Sequence, residues 1–307
     1  MAELLLAHDY EVWGTLRGSP DAHYPNLDGV RERIELISCD LAEPDAIAAA
    51  LHRCDPHEVY NLGGISFVPR SWEKPLETIA VNASAVTALL EAVRTAHART
   101  RVLSAGSGEM FGAVPESPQR EETPCRPRTP YAIAKLHAHL TIGAYRAHHG
   151  IHASSTIAFN HESPRRPPEF VTRKVTRAAA AIKLGLEGEV VLGDLDAIRD
   201  WGYAPDVVEA MWLMLQQDEP DDYVIATGAG RTVRELVDAA FGAVGLEAEP
   251  YVRVDSALVR RREGMPPVGD PSKARTRLGW EPRMPFAQMV AEMVEVDLRE
   301  LAPAGRP

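Results

Sequence analysis

Cysteine is scarce in this 307-residue chain. Cys39, Cys54 and Cys125 stand far apart and form no CxxC pair, so neither a disulfide framework nor a zinc site is encoded, and a reducing cytoplasm fits best. An excess of positive charge is lacking too: 33 Lys and Arg against 44 Asp and Glu leave a net charge of −11. Binding a nucleic-acid backbone needs a basic face that this average does not supply, although a local basic pocket is compatible with it. No stretch approaches the ~20 apolar residues of a membrane span, and no basic segment leads into an apolar leader, so neither a membrane role nor export is expected. Metal-ligand spacing is absent: His137 and His139 are two apart on different helix faces, and His148, His149 and His152 gather near a helix end, where the dipole favours them. With 45% hydrophobic and 25% charged residues, the composition is that of a globular protein able to bury a large core.

What is there is alternation. Short β-rich runs (Tyr10–Leu16, Arg33–Cys39, Glu58–Leu62, Arg101–Ala105, His152–Phe159) are interleaved with helical patterns (Pro44–Arg53, Pro75–His97, Pro130–His149). Strands spaced by helices of this length imply right-handed crossovers, hence an α/β, doubly wound, Rossmann-like parallel sheet. Past residue 160 the pattern loosens into a helix (Phe170–Gly185), a short strand (Val190–Gly193) and another helix (Val207–Gln217), as expected of a smaller lobe with some segments returning to the sheet. The division expected is therefore 1–160 and 161–307. The front is unusual. "MAELLLAHDYEVWGTLRG" reads as late helix running into a strand, whereas a dinucleotide-binding sheet begins with a strand and a glycine-rich turn that hold pyrophosphate on backbone N–H groups. No GxGxxG or GxxGxxG occurs there, so the expectation is a start about twenty residues upstream or a chain lacking that cradle.

"TPYAIAKLHAH" supplies the chemistry. Thr129 is placed to cap a helix, Pro130 takes its first position, and Tyr131 and Lys135 share one face at i, i+4. An ammonium beside a phenol favours phenolate and lowers a reference pKa of about 10, making the tyrosine a general base. A plain helical surface has the same spacing, so context decides. Upstream, "RVLSAGSGEMFG" is an apolar strand ending in small and hydroxyl residues, the end at which open parallel sheets bind ligands. Ser107 can bond a substrate hydroxyl there, and Glu109 offers a second acid/base group.

Together, Ser107 and Tyr131-x-x-x-Lys135 resemble an extended short-chain dehydrogenase/reductase, and longer blocks are similar to GDP-mannose 4,6-dehydratases. These blocks are "FNHESPRR" (Phe159–Arg166), "FVTRKVTRAAAAIKLG" (Phe170–Gly185), Leu192–Gly228 and "GDPSKARTRLGWEP" (Gly269–Pro282). The resemblance implies a cytoplasmic lyase, a homodimer or homotetramer, that converts GDP-mannose to GDP-4-keto-6-deoxy-mannose. Hydride passes from C4 to NADP and returns to C6. Residues 1–160 would bind the cofactor and 161–307 mainly the GDP-sugar. On this likeness Tyr131 takes the O4 proton, Lys135 tunes the phenol and holds the nicotinamide ribose, Glu109 removes the C5 proton, and Ser107 assists at O4. Further cofactor contacts fall at Arg17, Asp40, Leu41, Leu62, Gly63, Gly64, Ser66, His161 and Arg166; groups around GDP fall at Asn160, Lys174, Arg199, Arg260 and Glu263.

Departures from the family pattern are specific. Its Ser-Thr-Ser-Glu run is Gly106-Ser107-Gly108-Glu109 here, which is expected to loosen the backbone and slow the enzyme. Arg231 stands where histidine is usual, and of the paired arginines that meet the 2′-phosphate of NADP only Arg17 remains, followed by Gly18. NADP is the expected cofactor, with NAD the alternative. Other readings are a silent nucleotide-sugar-binding homologue, owing to the missing cofactor loop, and a related GDP-sugar epimerase or reductase; a pure reductase need not keep a base at the place of Glu109.

Overall fold

A computed structural model describes residues 1–259 and 264–302. Its chain starts with a short helix α1 (Ala2–Ala7) leading to strand β1 (Trp13–Leu16), which pairs in parallel with β2 (Glu35–Ser38). Helix α2 (Pro44–Cys54) then returns the chain to β3 (Glu58–Asn61). Three helices follow: α3 (Val68–Glu73), α4 (Pro75–Ile79) and α5 (Ala85–Ala96), and then β4 (Arg101–Ala105), α6 (Pro130–His149) and β5 (Ala153–Ala158). Beyond them come β6 (Asn160–Glu162), α7 (Val171–Lys183), β7 (Val190–Leu192), β8 (Ile198–Tyr203) and α8 (Ala204–Gln216). The remaining elements are β9 (Tyr223–Ile225), β10 (Gly230–Thr232), α9 (Val233–Ala243), β11 (Val252–Val254), α10 (Ser272–Leu278) and α11 (Phe286–Leu301).

The main sheet runs β3-β4-β5-β9, all parallel, so β9 rejoins it from beyond residue 160. All six residues of β5 are buried, the mark of a parallel strand covered on both faces. One face is packed by α2, α5 and α6 through Leu51, Val86, Leu90 and Ile142; the other carries Met214, Leu215, Ile225 and Trp280. Each fully buried side chain of this size contributes about 1.5–3 kcal/mol. Helices α7, α9 and α11 surround a separate core that contains Leu236, Phe241, Met289 and Met293. Beside it, β6, β8 and β10 form a short mixed sheet, and β7 pairs with β11.

Local chemistry sets the key boundaries. The Thr129 hydroxyl accepts from Ala132 N at 3.1 Å, Pro130 fills the first turn, and Gly150 ends α6 at φ +65°. The run expected as one helix over Pro75–His97 is helical throughout Pro75–Ala96, with α4 and α5 joined by a π-helical turn at Ala80–Ser84. The stretch Pro75–Ala96, with mean hydropathy 1.4, is long and apolar enough by composition to cross a membrane, contrary to the sequence reading, but it packs against α2 and α6 as a core helix does.

Among the described residues, no strand pairs with the second edge of β1 or of β3. Between those edges lies a cavity of about 1430 Å³, walled by Leu5 of α1 and by Leu51 and Leu89 among others. Side chains tie the β1–β2 pair to the main body. Glu58 accepts from Tyr10 (3.2 Å) and Tyr60 (2.6 Å), Trp212 Nε1 donates to Tyr10 Oη at 3.1 Å, and His8 stacks on Trp212 at 4.1 Å.

Candidate functional site

The C-terminal end of β4 carries the first group. Ser107 follows the strand in an extended conformation and caps the short 3₁₀ turn Gly108–Met110, its Oγ accepting from Glu109 N at 3.2 Å. Gly106 and Gly108 do not loosen this turn, as the sequence reading had it. A Cβ on Gly106 would lie 2.4 Å from the Thr156 carbonyl of β5, and one on Gly108 3.2 Å from the Phe159 ring. Glycine is the condition for β4 and β5 to approach so closely.

Helix α6 brings the second group. Tyr131 is buried and hydrogen-bonded to Ser107, and Glu109, itself half-buried, acts on it electrostatically. Burial pushes the phenol up; the Ser107 hydrogen bond and the charge of Arg166 pull it down, and Glu109 pushes it up. This direction corrects the expectation of a phenol lowered by Lys135. The ammonium of Lys135 instead donates to the Ala105 carbonyl at 2.6 Å, and its burial lowers its pKa to about 8. Lys135 Nζ also lies 3.7 Å from where a Gly64 Cβ would stand, so it bridges the end of β4 and the 62–66 loop. Ser107, Glu109, Tyr131 and Lys135 thus converge at one strand end.

That loop is fixed by a residue the sequence reading missed. Asn82, buried in the π-turn, accepts from Ile65 N and donates to Ile65 O, both at 2.8 Å. Its carbonyl oxygen would sit 2.8 Å from a Gly64 Cβ, which keeps that position a glycine. A polar amide inside an apolar helical run was the available signal, and π-turns often mark functional places. Leu41 closes on Gly63 from the other side, and Asp40 Oδ1 accepts from Ala42 N at 2.9 Å. Arg17, Asp40, Leu41, Leu62, Gly63, Gly64 and Ser66 all line the 1430 Å³ cavity.

The loop after β6 forms the opposite wall. His161 Nδ1 donates to the Phe159 carbonyl at 2.9 Å, and burial holds the ring below its ordinary pKa, so the neutral ring has its acceptor at Nε2. Glu162, only 1% exposed, accepts from Thr172 at 2.6 Å and lies 3.1 Å from Arg166 Nε. Burial raises that carboxyl while Arg166 and Thr172 pull it down. The Arg166 guanidinium lies 3.6 Å over Phe170, which meets Phe67 edge-on at 5.4 Å and so joins this wall to the 62–67 loop. Sequence reasoning had not picked out Glu162 as the anchor of Arg166.

The remaining candidates lie in the second sheet and on α7. Asn160 on β6 pairs with Trp201 of β8, and Arg199 of β8 stands directly across from Arg231 of β10. Like charges facing across a ladder disfavour pairing unless an anion or another partner relieves them; Arg231 has Glu235 at 2.9 Å. Lys174 donates to the Val191 carbonyl at 2.7 Å. Asp200, fully buried, accepts from Thr227 N, Gly228 N and Gly269 N at 2.9–3.2 Å and ties this sheet to the loops beside β9. Arg260 and Glu263 lie outside the described residues.

A polar pocket at the end of a parallel sheet, with a phenol, an ammonium and a carboxylate about one hydroxyl-bearing side chain, suits proton transfer coupled to hydride transfer. Comparison with known proteins agrees. A family model for GDP-mannose 4,6 dehydratase matches residues 1–293. The chain is 44% identical to GDP-mannose 4,6 dehydratase 2 of Arabidopsis thaliana over 314 residues, covering 98% of this chain and 84% of that protein. Among solved structures, the UDP-glucose 4-epimerase of Thermus thermophilus in complex with NAD has a TM-score of 0.83 at 27% identity, covering 98% of this chain and 94% of that one. RMD from Pseudomonas aeruginosa complexed with NADPH has a TM-score of 0.79 at 26% identity, covering 92% and 93%.

Proposed function

The chain belongs to the GDP-mannose 4,6-dehydratase family and is a hydro-lyase of that activity with a nicotinamide cofactor, and on that premise we propose that the cofactor is NADP and that four residues carry the reaction. Support for a nicotinamide site comes from the donor set: an ammonium between Gly64 and the Ala105 carbonyl suits a ribose diol, and cations at Arg17 and Arg166 suit an anionic cofactor. The chemistry that a bound nicotinamide supplies is acceptance of hydride from C4 of the sugar and its return to C6.

Tyr131 receives the O4 proton. Burial favours its neutral form, so Ser107 and Arg166 have the task of stabilising phenolate as the proton arrives or leaves. Ser107 donates to the tyrosine oxygen and orders the turn that presents Glu109. Oxidation at C4 acidifies C5–H, and Glu109 removes that proton and returns it as the acid for the departing C6 hydroxyl. Water leaves, and once hydride has been added at C6 the proton that Tyr131 took from O4 goes to C5, which leaves the 4-keto-6-deoxy sugar and restores the tyrosine as a base. Arg199 and Lys174, with Asn160, would hold the GDP diphosphate by charge-assisted hydrogen bonds, giving the basic pocket that the net charge of −11 hides. We assign the segments past residue 160 mainly to this task, place the enzyme in the cytoplasm, and expect a homodimer or homotetramer.

The observation that carries this reading is the convergence of Ser107, Glu109, Tyr131 and Lys135 at the end of β4. It is tested by incubating the protein with NADP⁺ and GDP-mannose and assaying the alkali-absorbing 4-keto product. Product that disappears in Tyr131→Phe supports the assignment; undiminished turnover in that variant overturns it.

A further inference from the structure

The loop that follows the Glu109 turn carries a buried amide outside the site described above. Gln119 is 1% exposed. Its Nε2 donates to the Glu116 carbonyl at 2.5 Å and to the Pro266 carbonyl at 3.1 Å, and its Oε1 accepts from Val268 N at 3.1 Å. Its own N–H donates to Val268 O and its carbonyl accepts from Asp270 N, both at 2.7 Å. One residue thus grips Pro266, Val268 and Asp270 from a distant part of the chain.

The gripped segment touches both halves of the site. Gly269, bridged to Gln119, donates its N–H to Asp200 Oδ2 at 3.2 Å, and Asp200 follows Arg199 on β8. Gly269 also lies against Phe159, since a Cβ there would stand 2.6 Å from the ring. The same ring is 3.2 Å from where a Gly108 Cβ would be, and Gly108 precedes Glu109 in the 3₁₀ turn. At the other end of the segment, Met265 N donates to the Val114 carbonyl at 2.9 Å. Gly264, at φ +90°, leaves no space for a Cβ, which would be 2.8 Å from the Val114 carbonyl oxygen. Met110, Phe111, Val114 and Phe159 belong to one apolar cluster, and close-packed interiors transmit a displacement rather than absorb it.

We infer that Gln119 is the positioning residue of Glu109: by pinning residues 264–270 between Asp200 and the Phe159 ring, it sets where the Glu109 turn sits relative to β8. This rests on the role of Glu109 proposed above and deepens it. The two halves of the reaction then have separate supports. Ser107 and Tyr131, which serve oxidation at C4, are set by the approach of Gly106 to β5 and by the Thr129 cap of α6. Glu109, which serves proton removal at C5, is set through Gln119. Loosening the grip leaves the first half intact and slows the second.

Two variants test it. Gln119→Leu keeps the side-chain volume and removes three hydrogen bonds; Gln119→Asn keeps the amide and draws it back by one methylene, a milder change for the case in which the first folds poorly. Rapid mixing of the full chain with NADP⁺ and GDP-mannose reads cofactor reduction by ultraviolet absorbance and product by its absorbance in alkali. Both variants are expected to reduce cofactor at the wild-type rate yet form product about 10- to 100-fold more slowly, the range for a misplacement of up to about 1 Å. Reduced cofactor should therefore accumulate. Because the effect passes through Glu109, adding Gln119→Leu to Glu109→Gln should bring no further loss, whereas independent sites add. Val93→Ala, in the core beneath α5, is the stability control: it should lower the urea midpoint without accumulation of reduced cofactor. Equal slowing of reduction and product formation in the Gln119 variants overturns the inference, as do additive losses in the double variant. Product at the wild-type rate from Glu109→Gln alone would refute the C5 role itself, and with it this inference.

Discussion

Replacing Gly106 by alanine adds one methyl group at the point where β4 meets β5. The new Cβ would stand 2.4 Å from the Thr156 carbonyl oxygen, 1.0 Å short of the 3.4 Å at which ordinary contact begins. Thr156 has little room to yield, because it is paired on one side with Ala105 of β4 and on the other with Tyr223 of β9. The displacement therefore falls on Gly106 and on Ser107 beside it, which bonds Tyr131 and orders Glu109. A misplacement of about 1 Å in a catalytic constellation costs on the order of 100-fold in rate, and overpacking of this kind costs about 1–3 kcal/mol in stability. The expected outcome is a kcat about 100-fold lower with a modestly lower urea midpoint, read by the 4-keto product assay and by fluorescence unfolding. Gly108→Ala is the control: its contact at 3.2 Å is with the edge of the Phe159 ring, which can give by a few tenths of an ångström, so the loss should stay within about tenfold. Gly106→Ala with unchanged kcat and midpoint would refute the argument that close approach of β5 sets the geometry of the site.

Glu109→Gln should stop the sequence after oxidation at C4, lowering turnover by about 10²–10⁴-fold while the ultraviolet absorbance of reduced cofactor builds up; slow product with no reduced cofactor would contradict the assigned order. Ser107→Ala removes a hydrogen bond that favours phenolate, so the Tyr131 pKa rises further and the rising limb of log kcat/KM against pH moves to higher pH; a shift to lower pH would show the bond to act on the neutral phenol. Arg173 and Asp297 form a 2.7 Å pair in which Asp297 is fully buried and also accepts from Thr176 at 2.7 Å. Arg173→Ala should cost about 3–5 kcal/mol at neutral pH. Burial pushes the Asp297 carboxyl up, and with only Arg177 left, 3.9 Å away, it protonates more readily, so the loss should shrink as pH falls; a loss that grows in acid would count against a buried ion pair.

Legibility followed how locally each feature is determined. Helix α6 was readable to the residue because its cap, its first-turn proline and its terminal Gly150 are all local signals. β4, with Ser107 and Glu109 after it, was readable because an apolar run ends in small residues. Of the three-residue strands, β7 was readable from its apolar Val190–Leu192 run, whereas β6, β9 and β10 were not, since pairing from distant segments creates them. The π-turn escaped for a related reason: it exists because Asn82 reaches a loop seventeen residues earlier. Spacing correctly put Lys135 on the face of Tyr131, but spacing does not say what else competes for an ammonium, and the Ala105 carbonyl competes for it. Arg17 was singled out by the family resemblance, whereas its contact with Glu77 exists only once α4 folds back upon the end of β1.

Internal hydride transfer is the claim on which the catalytic roles depend. GDP-mannose carrying deuterium at C4 should be converted, with catalytic amounts of NADP⁺, to a 4-keto-6-deoxy product whose label has moved to C6 within the same molecule. Product without deuterium at C6, or with label scattered among molecules, would contradict it.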